Sequence, residues 1–170
     1  SVAANTGEGL CMRRDCCGTK QYRLPIQVLV YCFRRNAGRV EYLMLRRMAK
    51  YGGFWQGVTG APEGDESRIE GAMRELVEET GLSPIDLYQV DFRYSFEVED
   101  AWKWAYNPDV THIDEYVFLA EIAGDADPVL SFEHDSYEWA NFDRAIDLLK
   151  WPNNRKALEF CDRLLQGKSK

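Results

Sequence analysis

From Gly60 to Leu82 the chain reads GAPEGDESRIEGAMRELVEETGL, and this segment has few conformational options. Ser67, followed three residues later by Glu70, meets the capping-box pattern: the serine oxygen takes a free backbone N–H and the glutamate reaches back to the capping residue. Ile69, Ala72, Met73, Leu76 and Val77 then recur at helical spacing and supply an apolar stripe. Gly81 stands where a left-handed residue commonly ends a helix. A helix over residues 67–80 is expected, entered from a glycine-containing loop.

The flanking segments read as extended. PIQVLVYCF is short, largely apolar and β-branched, the composition of a buried strand. Asn36-Ala37-Gly38 carries turn chemistry and VEYLMLRR returns as a second strand, so the two predict a hairpin. Phe54–Gly60 is a further short extended piece. Strands are expected near 88–98 and 113–123, with the aromatic, turn-rich segment Ala101–Pro108 between them, and a short strand around Tyr137–Ala140. The chain closes in helical pattern, AIDLL and then, after Asn153-Asn154, RKALEFCDRLL. Strands, a central helix, more strands and a final helix predict an α/β or α+β sandwich around a mixed sheet. At 170 residues the chain is most simply one domain. Residues 1–20 are small, polar and aperiodic and read as a flexible tail, which leaves 21–167 as the folded domain.

The formal net charge of −7 argues against a general nucleic-acid binder, because affinity for that polymer comes largely from Lys and Arg neutralising phosphates. A small polyanionic ligand would need a bound divalent metal or a local basic cluster to offset the repulsion. Aromatics make up 13% of the chain, enough to line a pocket for a flat ligand. Cys11, Cys16, Cys17, Cys32 and Cys161 form no Cys-x-x-Cys pair, and His112 and His134 are far apart, so a zinc site is not expected. Reduced cysteines of a cytoplasmic protein are the expectation. No apolar run approaches the ~20 residues of a membrane span, and the N-terminal residues lack the apolar core of a signal peptide.

The chemistry is carried by acidic side chains. Glu75, Glu78 and Glu79 lie at i, i+3 and i+4 and share one helix face, with Glu66 just before the helix and Glu63 earlier in the loop. Clustered carboxylates repel one another, and a hard divalent cation relieves that repulsion; oxygen donors without His or Cys favour Mg²⁺ or Mn²⁺. A Glu-rich helix face is most often merely solvated, so these three residues alone do not decide the matter. The surrounding spacing does.

Gly60, Glu66, Arg74, Glu75, Leu76, Glu78, Glu79, Gly81 and Leu82 stand at every fixed position of a known signature, the Nudix box, which the segment resembles in full. The resemblance implies an α/β/α sandwich with a loop–helix–loop metal site, Mg²⁺ as cofactor with Mn²⁺ as a substitute, and substitution of water at one phosphorus of a diphosphate. It implies that Glu75, Glu78 and Glu79 ligate the metals with the Gly60 carbonyl. Arg74 would orient the carboxylates, Glu66 would stabilise the loop, and Glu79 and Glu75 would share the work of the base. The motif's physics agrees: Gly60 permits close backbone approach and Arg74 can fork onto neighbouring carboxylates.

Outside the box, RLPIQVLVY, LMLRR, FWQGVTG and KWPNNRKALEF resemble the dihydroneopterin triphosphate diphosphatase branch of that family, which also hydrolyses nucleoside triphosphates such as dATP. In that branch a glutamate preceding a histidine on a late loop completes the metal set; Phe132-Glu133-His134 fits and makes Glu133 a candidate ligand. Arg23 and Arg47 correspond to basic substrate-contacting positions, Thr59 and Asn154 to polar ones. Phe96, with the Trp102/Trp104 loop, offers faces for stacking on a pterin or purine, a contact worth ~1–3 kcal/mol. The plainer alternatives are surface residues and aromatics that cap the sheet. The expected ligand is a small phosphorylated metabolite, with no nucleic acid polymer and no membrane, and the chain is expected to act as a monomer or homodimer. The segment from Val98 to Thr111 matches no motif, and substrate choice is expected to reside there. One alternative is a dinucleoside polyphosphate (Ap4A-type) hydrolase with room for two bases; another is sanitation of oxidised nucleotides. A ligand sensor without activity is the third, and the undamaged box counts against it.

Overall fold

The apolar runs assemble into one seven-stranded mixed sheet with helices on both faces. A computed structural model describes residues 22–168; the tail expected over 1–20 lies outside the described residues. β1 (Ile26–Asn36) and β2 (Arg39–Arg47) form the expected hairpin. Ala37 and Gly38 both take positive φ, 50° and 77°, the pairing that matches the right-handed twist of the strands. The first half of β1 leaves β2 and pairs antiparallel with β4 (Val58–Gly60), while its other edge runs parallel to β6 (His112–Glu121). β5 (Asp86–Glu97) pairs with β6; β3 (Trp55–Gln56) and β7 (His134–Ala140) flank β2.

Alternation along β1 sends its side chains into two cores. Val28, Val30 and Cys32 meet α1 (Arg68–Thr80), whereas Leu29, Tyr31 and Phe33 meet the layer that holds α2 (Phe142–Leu148) and α3 (Pro152–Lys168). The result is an α/β/α sandwich. A third, smaller cluster joins Val98, Ala105, Tyr106 and Ile113 to Phe96, Trp102 and Val110. It accounts for part of the aromatic segment: after β5 the chain forms a 3-10 helix, Asp100–Ala105, whose Trp102 packs on this small core while Trp104 stays exposed. Cys32 and Cys161, the two cysteines within the described residues, are free and buried. No helix among those residues is long and apolar enough to cross a membrane.

Helix α1 starts and stops where its sequence requires. Ser67 Oγ accepts from the Glu70 N–H at 3.2 Å and Glu70 accepts from the Ser67 N–H at 3.2 Å. Gly81 closes it at φ 66° with its N–H on the Val77 carbonyl. Its orientation corrects the stripe read from periodicity. Ala72 and Leu76 are buried, but Ile69, Met73 and Val77 are 45%, 39% and 47% exposed, and the buried face is completed by Gly71, Glu75, Glu79 and Thr80. A helix offers a sheet one face; here small residues, with Gly71 against Pro62, let the helix lie close, and two glutamates turn inward at the cost of leaving three aliphatics outside. Leu76→Ala is therefore expected to cost about 2–5 kcal/mol in urea denaturation, against less than about 0.5 kcal/mol for Met73→Ala. Equal losses would contradict this orientation.

Candidate active site

The loop entering α1 is organised around Arg74. Its guanidinium pairs with Glu66 at 2.9 Å, Glu75 at 3.1 Å, Glu78 at 3.2 Å and Glu63 at 3.7 Å, and donates to the Ala61 carbonyl at 2.9 Å. Glu66 also accepts from the Glu63 N–H at 2.8 Å, which ties the loop to the helix. These contacts hold Glu66 below the usual carboxylate range, the Arg74 hydrogen bond being the main cause. One planar fork on several acids is a geometry that lysine would not reproduce.

Gly60, at the end of β4, makes room for Glu75: a Cβ there would overlap the Glu75 carboxyl group. Glu79 is one turn further on, 3% exposed, and neither carboxylate oxygen has a hydrogen-bond partner. The late loop delivers Glu133 beside it. Val129 and Ser131 donate backbone N–H groups to the Thr80 and Glu79 carbonyls, and the Met48 N–H donates to the Glu133 carbonyl, so the loop is stitched to both α1 and β2. Glu79, Glu133 and His134 each present a ligand-type atom within 4.8 Å of the others. His134 Nε2 lies 3.9 Å from Glu79 and 3.1 Å from Gln56 Nε2. Burial, aided by Arg47, pushes His134 down to about 4, so its ring is neutral at physiological pH.

The other sequence-predicted residues divide. Arg47 has no exposed surface; it lies beneath the acids, near Glu133 and Glu79, with the rings of Tyr51 and Phe54 at 5.6 Å and 5.8 Å from its guanidinium carbon. Thr59 and Asn154 are buried on the opposite, α3-facing side of the sheet. Arg23 donates its backbone N–H to the Ala105 carbonyl and its guanidinium carbon lies 6.0 Å from the centre of the Tyr106 ring, while Phe96 packs against the third cluster. Gln56, His134, Gln27 and Glu115 were not singled out from sequence as working residues. For Glu115 a signal existed: it alternates with Ile113, Val117 and Leu119 and so points inward. Nothing local marks Gln56, and His134 is marked only as the neighbour that identifies Glu133.

Several features of this cluster suit a hard divalent cation. Glu79 is buried with unpartnered oxygens, a costly state without a counter-charge. Gly60, lacking a Cβ, leaves the space that the Glu75 carboxyl occupies. Carboxylates dominate the donors, as Mg²⁺ prefers.

The Nudix domain family model matches residues 23–161. Dihydroneopterin triphosphate diphosphatase of Haemophilus influenzae is 35% identical over 143 residues, covering 82% of this chain and 88% of that protein. The solved dihydroneopterin triphosphate pyrophosphohydrolase of E. coli superposes with a TM-score of 0.65 at 30% identity, covering 81% of this chain and 94% of that one. An Ap4A hydrolase of C. elegans shares the fold, TM-score 0.68, at 21% identity over 84% of this chain and 98% of its own. The chain belongs to the Nudix family, and its diphosphatase relatives make it a pyrophosphohydrolase.

The buried acids set a pH dependence. Burial raises Glu75 to about 7, against the pull of Arg74, and raises Glu115 to about 7, against contacts from Tyr94 and Gln27. Glu79 also shifts upward, through burial and then Glu75 and Glu133. Unfolded, each returns to about 4.3. The folded form holds these protons more tightly, so this contribution to stability is full below the unfolded value and is lost as pH rises through about 7. His134 works in the opposite sense, but only up to its unfolded value of about 6.5. In the presence of chelator the raised acids outnumber the one histidine, so the melting temperature is expected to fall between about pH 4.5 and 7, and Mg²⁺ to flatten the fall by competing with protons for the same oxygens. A flat or rising metal-free profile would contradict the buried carboxylates.

Proposed function

We propose that this chain hydrolyses a diphosphate bond in a nucleoside-triphosphate-like metabolite, dihydroneopterin triphosphate or a (d)NTP, releasing pyrophosphate and the monophosphate, with Mg²⁺ or Mn²⁺ as cofactor. The observation that carries this reading is the pair of inward-turned, buried glutamates, Glu75 and Glu79, with Glu75 against the glycine that ends β4. The 35% identity to a dihydroneopterin triphosphate diphosphatase supports the substrate class.

Glu75, Glu78, Glu79 and Glu133, with the Gly60 carbonyl, would hold the cation. When bound, it would neutralise the non-bridging oxygens of the diphosphate and acidify the attacking water. The protein's own part is positional. Arg74 fixes Glu75 and Glu78 through its fork, Glu66 fixes Arg74 and the loop, and Arg47 balances charge beneath Glu79 and Glu133. Glu79 and Glu75, whose carboxylates burial makes more basic than usual, would share the work of taking the proton of the incoming water.

The test is a panel of dihydroneopterin triphosphate, dATP, dGTP, diadenosine tetraphosphate, ADP-ribose and coenzyme A, with and without Mg²⁺ and with products identified. Pyrophosphate and a monophosphate from the triphosphates, abolished by chelator, is the expected result. Preferred asymmetric cleavage of diadenosine tetraphosphate would replace this reading with the dinucleoside one, and turnover unaffected by chelator would reject the metal role.

A further inference from the structure

The face of the sheet opposite the acidic cluster holds a second set of buried polar groups that the hydrolytic chemistry does not use. Gln27 on β1 and Glu115 on β6 are directly opposite one another in the parallel ladder, and Tyr94 on β5 is opposite Glu115 on its other side. Gln27 is 2% exposed and Glu115 0%. Neither Glu115 oxygen makes a well-directed hydrogen bond, nor does Gln27 Nε2, nor the Thr59 hydroxyl on β4. The surroundings are ordered by contrast: Asn154, 7% exposed, donates from Nδ2 to the Tyr94 hydroxyl at 2.8 Å, and the Tyr31 hydroxyl donates to the Asn154 carbonyl at 2.8 Å. Glu115 has the close contacts of Tyr94 and Gln27, but neither of them is a well-directed hydrogen bond; a buried carboxylate and a buried amide donor so poorly satisfied are costly, which points to a ligand that completes them.

The orphaned atoms have an order. Glu115 offers two acceptors and Gln27 Nε2 offers a donor next to them. The complement is a planar edge that presents donor, donor, acceptor. A 2-amino-4-oxopyrimidine ring has that edge in its amino group, ring N–H and carbonyl, and guanine and pterins share it. Adenine does not: its ring nitrogen at the central position is an acceptor and would face a carboxylate oxygen.

We propose that Glu115 and Gln27 read the amino, N–H and carbonyl edge of a 2-amino-4-oxo heterocycle, so that the enzyme selects guanine-like or pterin substrates over adenine. This rests on the triphosphate reading above and narrows it. Strand β4 links the two sites: Val28 opposite Gly60 faces the α1 core, and Leu29 opposite Thr59 faces the α3 core, so consecutive residues of β4 serve opposite faces. Among the described strands β4 pairs only with β1, which leaves its other edge for a ligand that spans from one face to the other.

Calorimetric titration with dGMP, neopterin monophosphate and dAMP tests recognition apart from hydrolysis. The wild-type protein is expected to bind dGMP and neopterin monophosphate at least about ten-fold more tightly than dAMP, and Glu115→Gln to reduce that preference by about 10- to 100-fold, the discrimination one bidentate pair supplies. Thermal melting reports whether the variant folds; should it not, Gln27→Leu removes the donor alone and is expected to weaken dGMP and neopterin monophosphate but not dAMP. Equal binding of dGMP and dAMP by the wild-type protein, no measurable binding of any of the three, or an unchanged preference in a folded variant would overturn the proposal. A protein that prefers dGMP yet hydrolyses no triphosphate would keep this proposal and lose the hydrolytic reading; the reverse result would do the opposite.

Discussion

Glu79→Gln is expected to lower kcat by roughly 10²–10⁴-fold while raising the melting temperature of the metal-free protein. Both effects have one cause. Glu79 is almost wholly buried, its oxygens have no hydrogen-bond partners, and its ionised form is opposed by burial and by Glu75 and Glu133. An amide of the same shape relieves that burden, and each kcal/mol relieved is worth about 2–4 °C for a domain of this size. The same amide is a poor ligand for a hard cation and cannot take a proton from water. A single-turnover assay and a thermal melt in chelator read the two effects. Near-normal turnover would reject the role of Glu79, and a lowered melting temperature would show that its charge is better compensated than the structure indicates.

Gly60→Ala is expected to reduce kcat/KM by about 10²-fold or more, the scale associated with displacing a positioned group by about 1 Å, and to raise the Mg²⁺ concentration required. The added Cβ would overlap the Glu75 carboxyl, which is the far end of a flexible side chain. Glu75 can swing away, so the fold is expected to survive while the proposed ligand and its Arg74 pairing are lost. Circular dichroism with a metal-dependence curve separates this from unfolding. Activity within about three-fold of wild type, at unchanged Mg²⁺ demand, would mean that Glu75 acts from elsewhere or does not act.

These two positions differ in how far their roles are legible before the fold is known. The chain alone reveals the spacing that marks Glu79 and Gly60, and it marks Arg74 and Glu66 in the same way. It does not reveal that Gly60 is small because of Glu75, a contact made only once β4 lies against α1. Arg47 reads as a basic strand end facing substrate, yet it is enclosed by Tyr51, Phe54 and the acids. The aromatic segment around Trp102 matches no motif because its side chains pack largely on one another and on Ile113 rather than on the main cores.

Local physics, acting over a few residues, was sufficient for the capped helix at Ser67–Gly81, the hairpin turn at Ala37-Gly38, the strand periodicity and the acidic signature. Which way α1 rolls is decided by tertiary contacts: Ala72 and Leu76 pack into the core under the sheet and Gly71 lies against Pro62 of the preceding loop, so that Glu75 and Glu79 turn inward while Ile69, Met73 and Val77 stay outside. The arrival of Glu133, and the meeting of Gln27 with Glu115, depend on pairings between segments far apart in the chain. No residue's own preference encodes such pairings; they follow from the sheet order that buries both cores at once.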